Sequence, residues 1–588
     1  MNKFFTAALF LLCAWVIFGC SPQPAPEITL SYDENKSPEY HEVIDAYQQL
    51  ASYYDQANLT EMGHTDTGRP LHLFMLSGDG DFDPGALKDK GRSIILINNG
   101  IHAGEPAGID ASIQYAVNLL ENKNGMAEVL EHTVVAIIPV YNIGGYLDQN
   151  RYYRMNQDGP EYKGARRNAR NLDLNRDFMK QDAQNSRSFA EIFHFLDPDV
   201  FIDTHTTNGM EHQAVMTLIT SMHQKLPGPM AEFSKEEMQP KLYRRMNEET
   251  DHGMVPYLQL IDRGDIRRGI AGFNDHPHFS SGYTALFNTL GFITETQFAK
   301  PYPDRVRATL DFIRFTTEFT AGHTDRIRQM RKEAAEKTMT RESFVLDWIP
   351  DRTQYDEIVF KGYETSQSVT PLTNRTVTGY HYNQPRTDTI AFYDYFESAV
   401  TVDAPEAYVI PQTWEKVIGR MAQNGVDITY LERDTILEVE TTYVDNFRSS
   451  PQPGQGRHQV TELETSTQTG DRKFYRGDAI IYTNQPANND LVHALEPEAP
   501  ASFLRWGFFT SALEDGEGWW IYGFEDYAWE RLQEDEALRE AFEARKAENE
   551  SFRNDPRAQL EYILSRVRQP EVERSWHLYP VGRLVSGK

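Results

Sequence analysis

A histidine and a glutamate three positions apart, His102 and Glu105, lie in the stretch Asn99-Gly100-Ile101-His102-Ala103-Gly104-Glu105. An imidazole nitrogen and a carboxylate on so short a spacer can chelate a divalent metal. A catalytic zinc needs a third protein ligand and an open fourth position for water. The chain has 2 cysteines, Cys13 and Cys20, both near its start. A transition metal in the body of the chain must therefore rest on His, Asp or Glu, and a cysteine nucleophile there is excluded. The third ligand has to come from a distant segment. His205, in Asp203-Thr204-His205-Thr206, is the best candidate, because it directly follows a short apolar run. The loop Asp275-His276-Pro277-His278 is read as pocket wall, since the three better-placed ligands leave it no vacancy, and His212 is read the same way.

Such residues need a scaffold that brings them to one place. The runs 93–98 (SIILIN), 133–140, 200–203 and 291–295 (GFITE) read as buried strands, with helices over 106–120 and 186–196 and another near Pro303. Apolar runs alternating with amphipathic stretches describe an α/β domain. In open α/β sheets, side chains at the carboxyl ends of the strands share one crevice. His102, Glu105 and His205 all fall at such ends. At 588 residues the chain is too long for one core. We divide it into a signal segment (1–20), a catalytic domain (21–330) and a C-terminal accessory region (331–588), β-rich over 340–485 and helical over 525–570. A charged, helix-prone stretch, 324–342, reads as the exit from the catalytic domain. The accessory region shows no comparable cluster of ligands or bases, and packing or substrate restriction is its expected role.

In this order of motifs the chain resembles the M14 family of zinc carboxypeptidases over about 63–310. Gly63 to Leu71 is similar to the family's entry into its first strands. His102 and Glu105 match its H-x-x-E, and His205 its distal histidine. Asn150-Arg151-Tyr152-Tyr153-Arg154 and Asp173-Leu174-Asn175-Arg176 are similar to its N-R-x-x-R and D-x-N-R segments, and Gly291 to Glu295 to its base-bearing strand. The resemblance implies a mixed central sheet flanked by helices and one zinc ion per chain. It implies Glu295 as the carboxylate that passes a proton from water to the leaving amine. Arg154 would stabilise the oxyanion, with Arg151 its competitor for that role. Asn175 and Arg176 would anchor a free terminal carboxylate, a group that a guanidinium grips through two parallel bonds. Asp173 would accept a hydrogen bond from His102. Tyr283 would be the mobile tyrosine that caps the bound terminus, although it lies closer to Glu295 than the family pattern has it. The implied activity is removal of C-terminal residues from peptides. A cell-wall peptidase or amidase, a deacylase, and an inactive envelope binding protein are the alternatives on this fold.

Lys3 and the apolar run 4–18 lead to Ile17-Phe18-Gly19-Cys20, which resembles a bacterial lipobox with Cys20 as the lipidated residue. That implies export and a lipid anchor in the cell envelope, at the outer membrane or in the periplasm, with no other membrane contact. A formal net charge of −29 argues against nucleic acid or an anionic membrane as the main partner. The expected partners are peptides with a free C-terminus. Arg263, Arg267 and Arg268 are the one sign of a side-chain preference, for acidic residues.

Overall fold

Ser93–Asn99 and Thr133–Ile138 are buried at every position. Only a sheet covered on both faces permits such strands. The computed structural model describes residues 24–514, 522–567 and 577–585. Cys20 and the segment before it lie outside the described residues. In chain order the first strands are β1 (Ala57–His64), β2 (Pro70–Leu76), β3 (Ser93–Asn99), β4 (Thr133–Ile138), β5 (Val200–Thr207), β6 (Met216–Thr220), β7 (Met254–Pro256), β8 (Gln259–Leu260), β9 (Ile270–Ala271) and β10 (Leu290–Gln297). All but β8 and β9 form an eight-stranded mixed sheet in the order β1-β2-β4-β3-β5-β10-β6-β7. Its centre, β4-β3-β5-β10, is parallel.

The pleat divides each strand between two cores. Ile95 and Ile97 join the helices Tyr40–Tyr53, Ala107–Leu120 and Tyr302–Gly322 on one face. Ile94 and Leu96 join Gln184–Leu196 on the other. The first of these faces packs tightly: a Cβ built on Gly108 would lie 2.0 Å from Thr204 Oγ1 of β5. The α/β reading holds, with one correction. The apolar run 200–203 is only the first half of β5, so His205 lies inside a strand and not after one. The polar half persists because β10 continues beside it, pairing Glu295 with His205 and Gln297 with Thr207.

The boundary expected at 330 falls within the helix Thr324–Met339. Beyond that helix come a long hairpin, Asp356–Val369 with Thr376–Tyr393, a six-stranded sheet, and a helical cluster from Glu525 to Leu564. The hairpin is joined to the first half, since Phe392 pairs with Ile270 of β9. No helix among the described residues is long and apolar enough to cross a membrane.

Candidate metal centre and active site

The chain turns sharply at Gly100, whose φ of +68° suits a residue without Cβ, and sends His102 and Glu105 over the end of β3. Glu105 N donates to His102 O at 2.9 Å, a tight turn that puts both side chains on one side. His102 Nδ1 lies 3.0 Å from Glu105 Oε1, His205 Nδ1 lies 3.1 Å from Glu105 Oε2, and the two Nδ1 atoms are 3.2 Å apart. All three residues are buried, and their ligand atoms fall within 4.8 Å of one another. Thr206 N holds Glu105 Oε2 at 2.8 Å.

The outer nitrogens decide what faces inward. His102 Nε2 lies 3.1 Å from Asp173 Oδ1, and His205 Nε2 lies 2.9 Å from Asp203 Oδ2. A carboxylate can only accept, so each Nε2 carries the hydrogen and each Nδ1 presents its lone pair toward Glu105. Two imidazole lone pairs and a carboxylate converging at these distances fit a tetrahedral zinc with an open position. Burial works against charge on His205, but without a metal Asp203 and Glu105 hold its pKa well above the ordinary imidazole range, so a metal binding there displaces a proton from Nδ1. Burial likewise pushes Asp173 up, and the hydrogen bond from His102 with the charges of Arg166 and Arg176 overrides it, to below the usual carboxylate range.

Glu295 sits beside His205 on the neighbouring strand, and burial raises its carboxyl pKa to about 7, with Glu105 adding to the rise. Arg154 has a left-handed backbone (φ 47°) and directs Nη2 onto Glu105 Oε1, while its buried Nη1 has no hydrogen-bond partner among the described residues. Gly104 lets this arginine approach: a Cβ there would lie 2.7 Å from Gly164 O and 3.3 Å from Arg154 Cδ. Arg151 is not at the centre. It is exposed and pairs with Glu161 at 2.9 Å. Asn175 Oδ1 accepts from Ser280 N at 3.2 Å, leaving its amide NH2 as a donor. Arg176 is half-buried over the Phe279 ring at 4.3 Å and donates to Asn175 O at 2.6 Å. Burial lowers its pKa, and Asp173, Tyr257 and Glu295 are among the groups that act on it.

Tyr283 is not a mobile cap. It is fully buried in the aromatic core, within 5.8 Å of Phe178 and 5.2 Å of Phe287, and its hydroxyl donates to Asn424 at 2.9 Å. Its helix, Ser280–Leu286, packs under the sheet, where an aromatic ring serves the core. Tyr257, between β7 and β8, is the tyrosine at the site. Burial first, then the charge of Glu295, raises its pKa to about 12. Nothing in its sequence surroundings marks it. Asp203 did leave a signal: two places before His205 on a strand, it must share that histidine's face. His276 lies 3.9 Å from Asp347, the His278 ring lies tilted 4.3 Å from that of Phe279, and His212 is buried near Phe360.

The profile of the zinc carboxypeptidase family matches residues 43–238. That interval holds every residue named above as a candidate ligand. Carboxypeptidase 2 of Trichophyton tonsurans is 21% identical over 434 residues, 72% of this chain and 75% of that one. Carboxypeptidase 2 of Trichophyton rubrum is 21% identical over 435 residues, 70% and 73% of the two chains. Among solved structures, the metallo-carboxypeptidase from Pseudomonas aeruginosa superposes with a TM-score of 0.37 at 14% identity, covering 50% of this chain and 71% of that one. Over residues 43–238 the chain thus matches the M14 family of zinc carboxypeptidases, and it is a hydrolase of the metallocarboxypeptidase type.

Proposed function

We propose that the chain hydrolyses the last peptide bond of peptides that end in a free carboxylate, with one zinc held by His102, Glu105 and His205. When bound there, zinc lowers the pKa of a water molecule and polarises a carbonyl as a Lewis acid. The remaining work belongs to the protein's own side chains. Arg176 and Asn175 hold the substrate's terminal carboxylate. Arg154 Nη1 donates to the oxygen of the scissile carbonyl as negative charge builds on it. Glu295 takes one proton from the attacking water and delivers it to the amide nitrogen as the C–N bond breaks. A carboxyl with a pKa near the working pH serves in both directions.

The observation that carries this reading is the guanidinium of Arg176. It lies beside the metal-binding cluster and engages a backbone carbonyl and a ring, but makes no ion pair among the described residues. A half-buried cation without a carboxylate is a receptor for one. An amidated substrate would leave it unpaired, at a cost of about 2–5 kcal/mol, which corresponds to roughly 30- to several thousand-fold in kcat/KM. The wild type should therefore favour a free-acid peptide over its C-terminal amide by such a factor, and Arg176→Ala should be slow on both and nearly indifferent between them. Equal wild-type rates on the two substrates would overturn the reading and favour an amidase or cell-wall peptidase.

A further inference from the structure

The segment that brings Asp173, Asn175 and Arg176 to the site has little regular structure of its own, only the short turn Leu174–Arg176. The carboxylate of Asp173 is already committed. Asp173 binds His102 through Oδ1 and Arg166 through Oδ2, the latter at 3.1 Å from Arg166 Nε. What holds the backbone comes from the far end of the chain. Gln455, in the loop between the strands Thr435–Ser449 and Val460–Phe474, accepts the Asp173 backbone N–H at 3.1 Å and Arg167 Nη1 at 3.5 Å through one oxygen, Oε1.

The loop is built for this reach. Gly454 and Arg457 exchange both backbone hydrogen bonds, at 2.8 and 3.1 Å. Gln455 and Gly456 stand in the left-handed region, with φ of 55° and 80°. A Cβ on Gly456 would meet Leu172 Cδ2 at 3.0 Å, so glycine permits the close approach. Arg457 then forks onto Asp182 at 2.6 and 2.7 Å and stacks on Phe508 at 3.7 Å. Two more contacts come from the same region: Arg420 Nε to Lys180 O at 3.2 Å and Gln423 Nε2 to Arg187 O at 3.0 Å. A non-glycine residue in the left-handed region is held there only where its surroundings over-determine it.

We propose that Gln455 is a positioning residue of the active site, through which the C-terminal region sets the place of Asp173 and, one turn on, of Arg176. The inference rests on the carboxypeptidase reading above and extends it to the second half of the chain. A shift of the Asp173 backbone moves two things together: the acceptor that orients His102, and the base of the turn that carries Arg176. Loss of the Gln455 oxygen should therefore weaken both metal retention and substrate binding, where a general loss of stability would not single them out.

The test uses the full chain and three variants. In Gln455→Ala, KM for a free-acid peptide should rise about threefold to tenfold with a smaller change in kcat, the scale of one hydrogen bond. Zinc should also pass to a competing chelator faster than from wild type, read by the chelator's absorbance. Gln455→Glu keeps an acceptor oxygen at nearly the same reach and should restore both. Gln412→Ala, which removes a 2.9 Å bond to Arg476 O within the same region, is the stability control. If Gln455→Ala matches this control in KM and in zinc loss, the inference is overturned. If wild type releases no terminal residue, the carboxypeptidase reading fails instead, and the chelator arm still reports on Gln455.

Discussion

His102 and His205 present Nδ1 inward because Asp173 and Asp203 each occupy an Nε2 hydrogen. The orientation of both rings is thus decided by two acids, Asp173 and Asp203. Glu295 differs from both. Among the described residues its carboxyl meets no cationic hydrogen-bond partner in the way Glu105 meets Arg154, and burial raises its pKa to about 7. A carboxyl in that state can take up and release a proton, whereas one locked below the usual range cannot. Glu295→Gln should keep zinc, because Glu295 lies outside the three-residue cluster. Turnover should fall roughly 10²–10⁴-fold, the scale of a positioned acid–base group. Metal analysis alongside steady-state rates separates the outcomes: near-normal turnover removes the proton-carrier role, and lost zinc moves Glu295 into the coordination shell.

At the scale of elements, β3, β5 and β10 matter because their carboxyl ends lie side by side. Their spacing relative to the helices is set by small residues. Gly108, in the first turn of Ala107–Leu120, sits so close to β5 that a methyl group would lie 2.4 Å from Thr204 Cβ and 2.6 Å from Asn99 Oδ1. Alanine elsewhere in a helix is stabilising, but here it must push the helix off the strand that bears His205. Overpacking of this kind costs about 1–3 kcal/mol. Gly108→Ala should lower the denaturant midpoint accordingly and reduce kcat/KM through the displaced ligands. An unchanged or raised midpoint would mean that the helix has room to move.

At the scale of the whole molecule, the two halves share a buried polar junction. Asn424 Nδ2 donates to both oxygens of Asp490 at 3.1 Å, and Asn424 Oδ1 accepts from Tyr283 and Gln181 of the first half. Burial raises the Asp490 pKa to about 7. A carboxyl that is more basic folded than unfolded stabilises the fold while it keeps its proton. That contribution is full below the unfolded value of about 3.9 and disappears as pH rises through 7. Stability by denaturation should therefore fall between acid and mildly alkaline pH, and Asp490→Asn should flatten that slope. The same slope in the variant would assign the pH dependence to other buried acids. Through this junction Tyr283, expected at the substrate, serves instead to join the halves.

Local pattern and residue chemistry were enough for the α/β class, the strands 93–98 and 291–295, the chelating pair His102 and Glu105, and the absence of thiols from the body of the chain. These follow from short-range periodicity, and from the few side chains that can bind a metal. What the sequence could not supply depends on distance in space between residues far apart in the chain. The polar half of β5 is a strand because β10 runs beside it, not because its residues favour one. Tyr257 and Tyr283 are both tyrosines in unremarkable stretches, and only packing puts one beside Glu295 and the other in the core. Gln455 meets Asp173 across 282 positions of chain. No periodicity encodes such a contact, because it arises from how two surfaces from distant parts of the chain come to rest on each other.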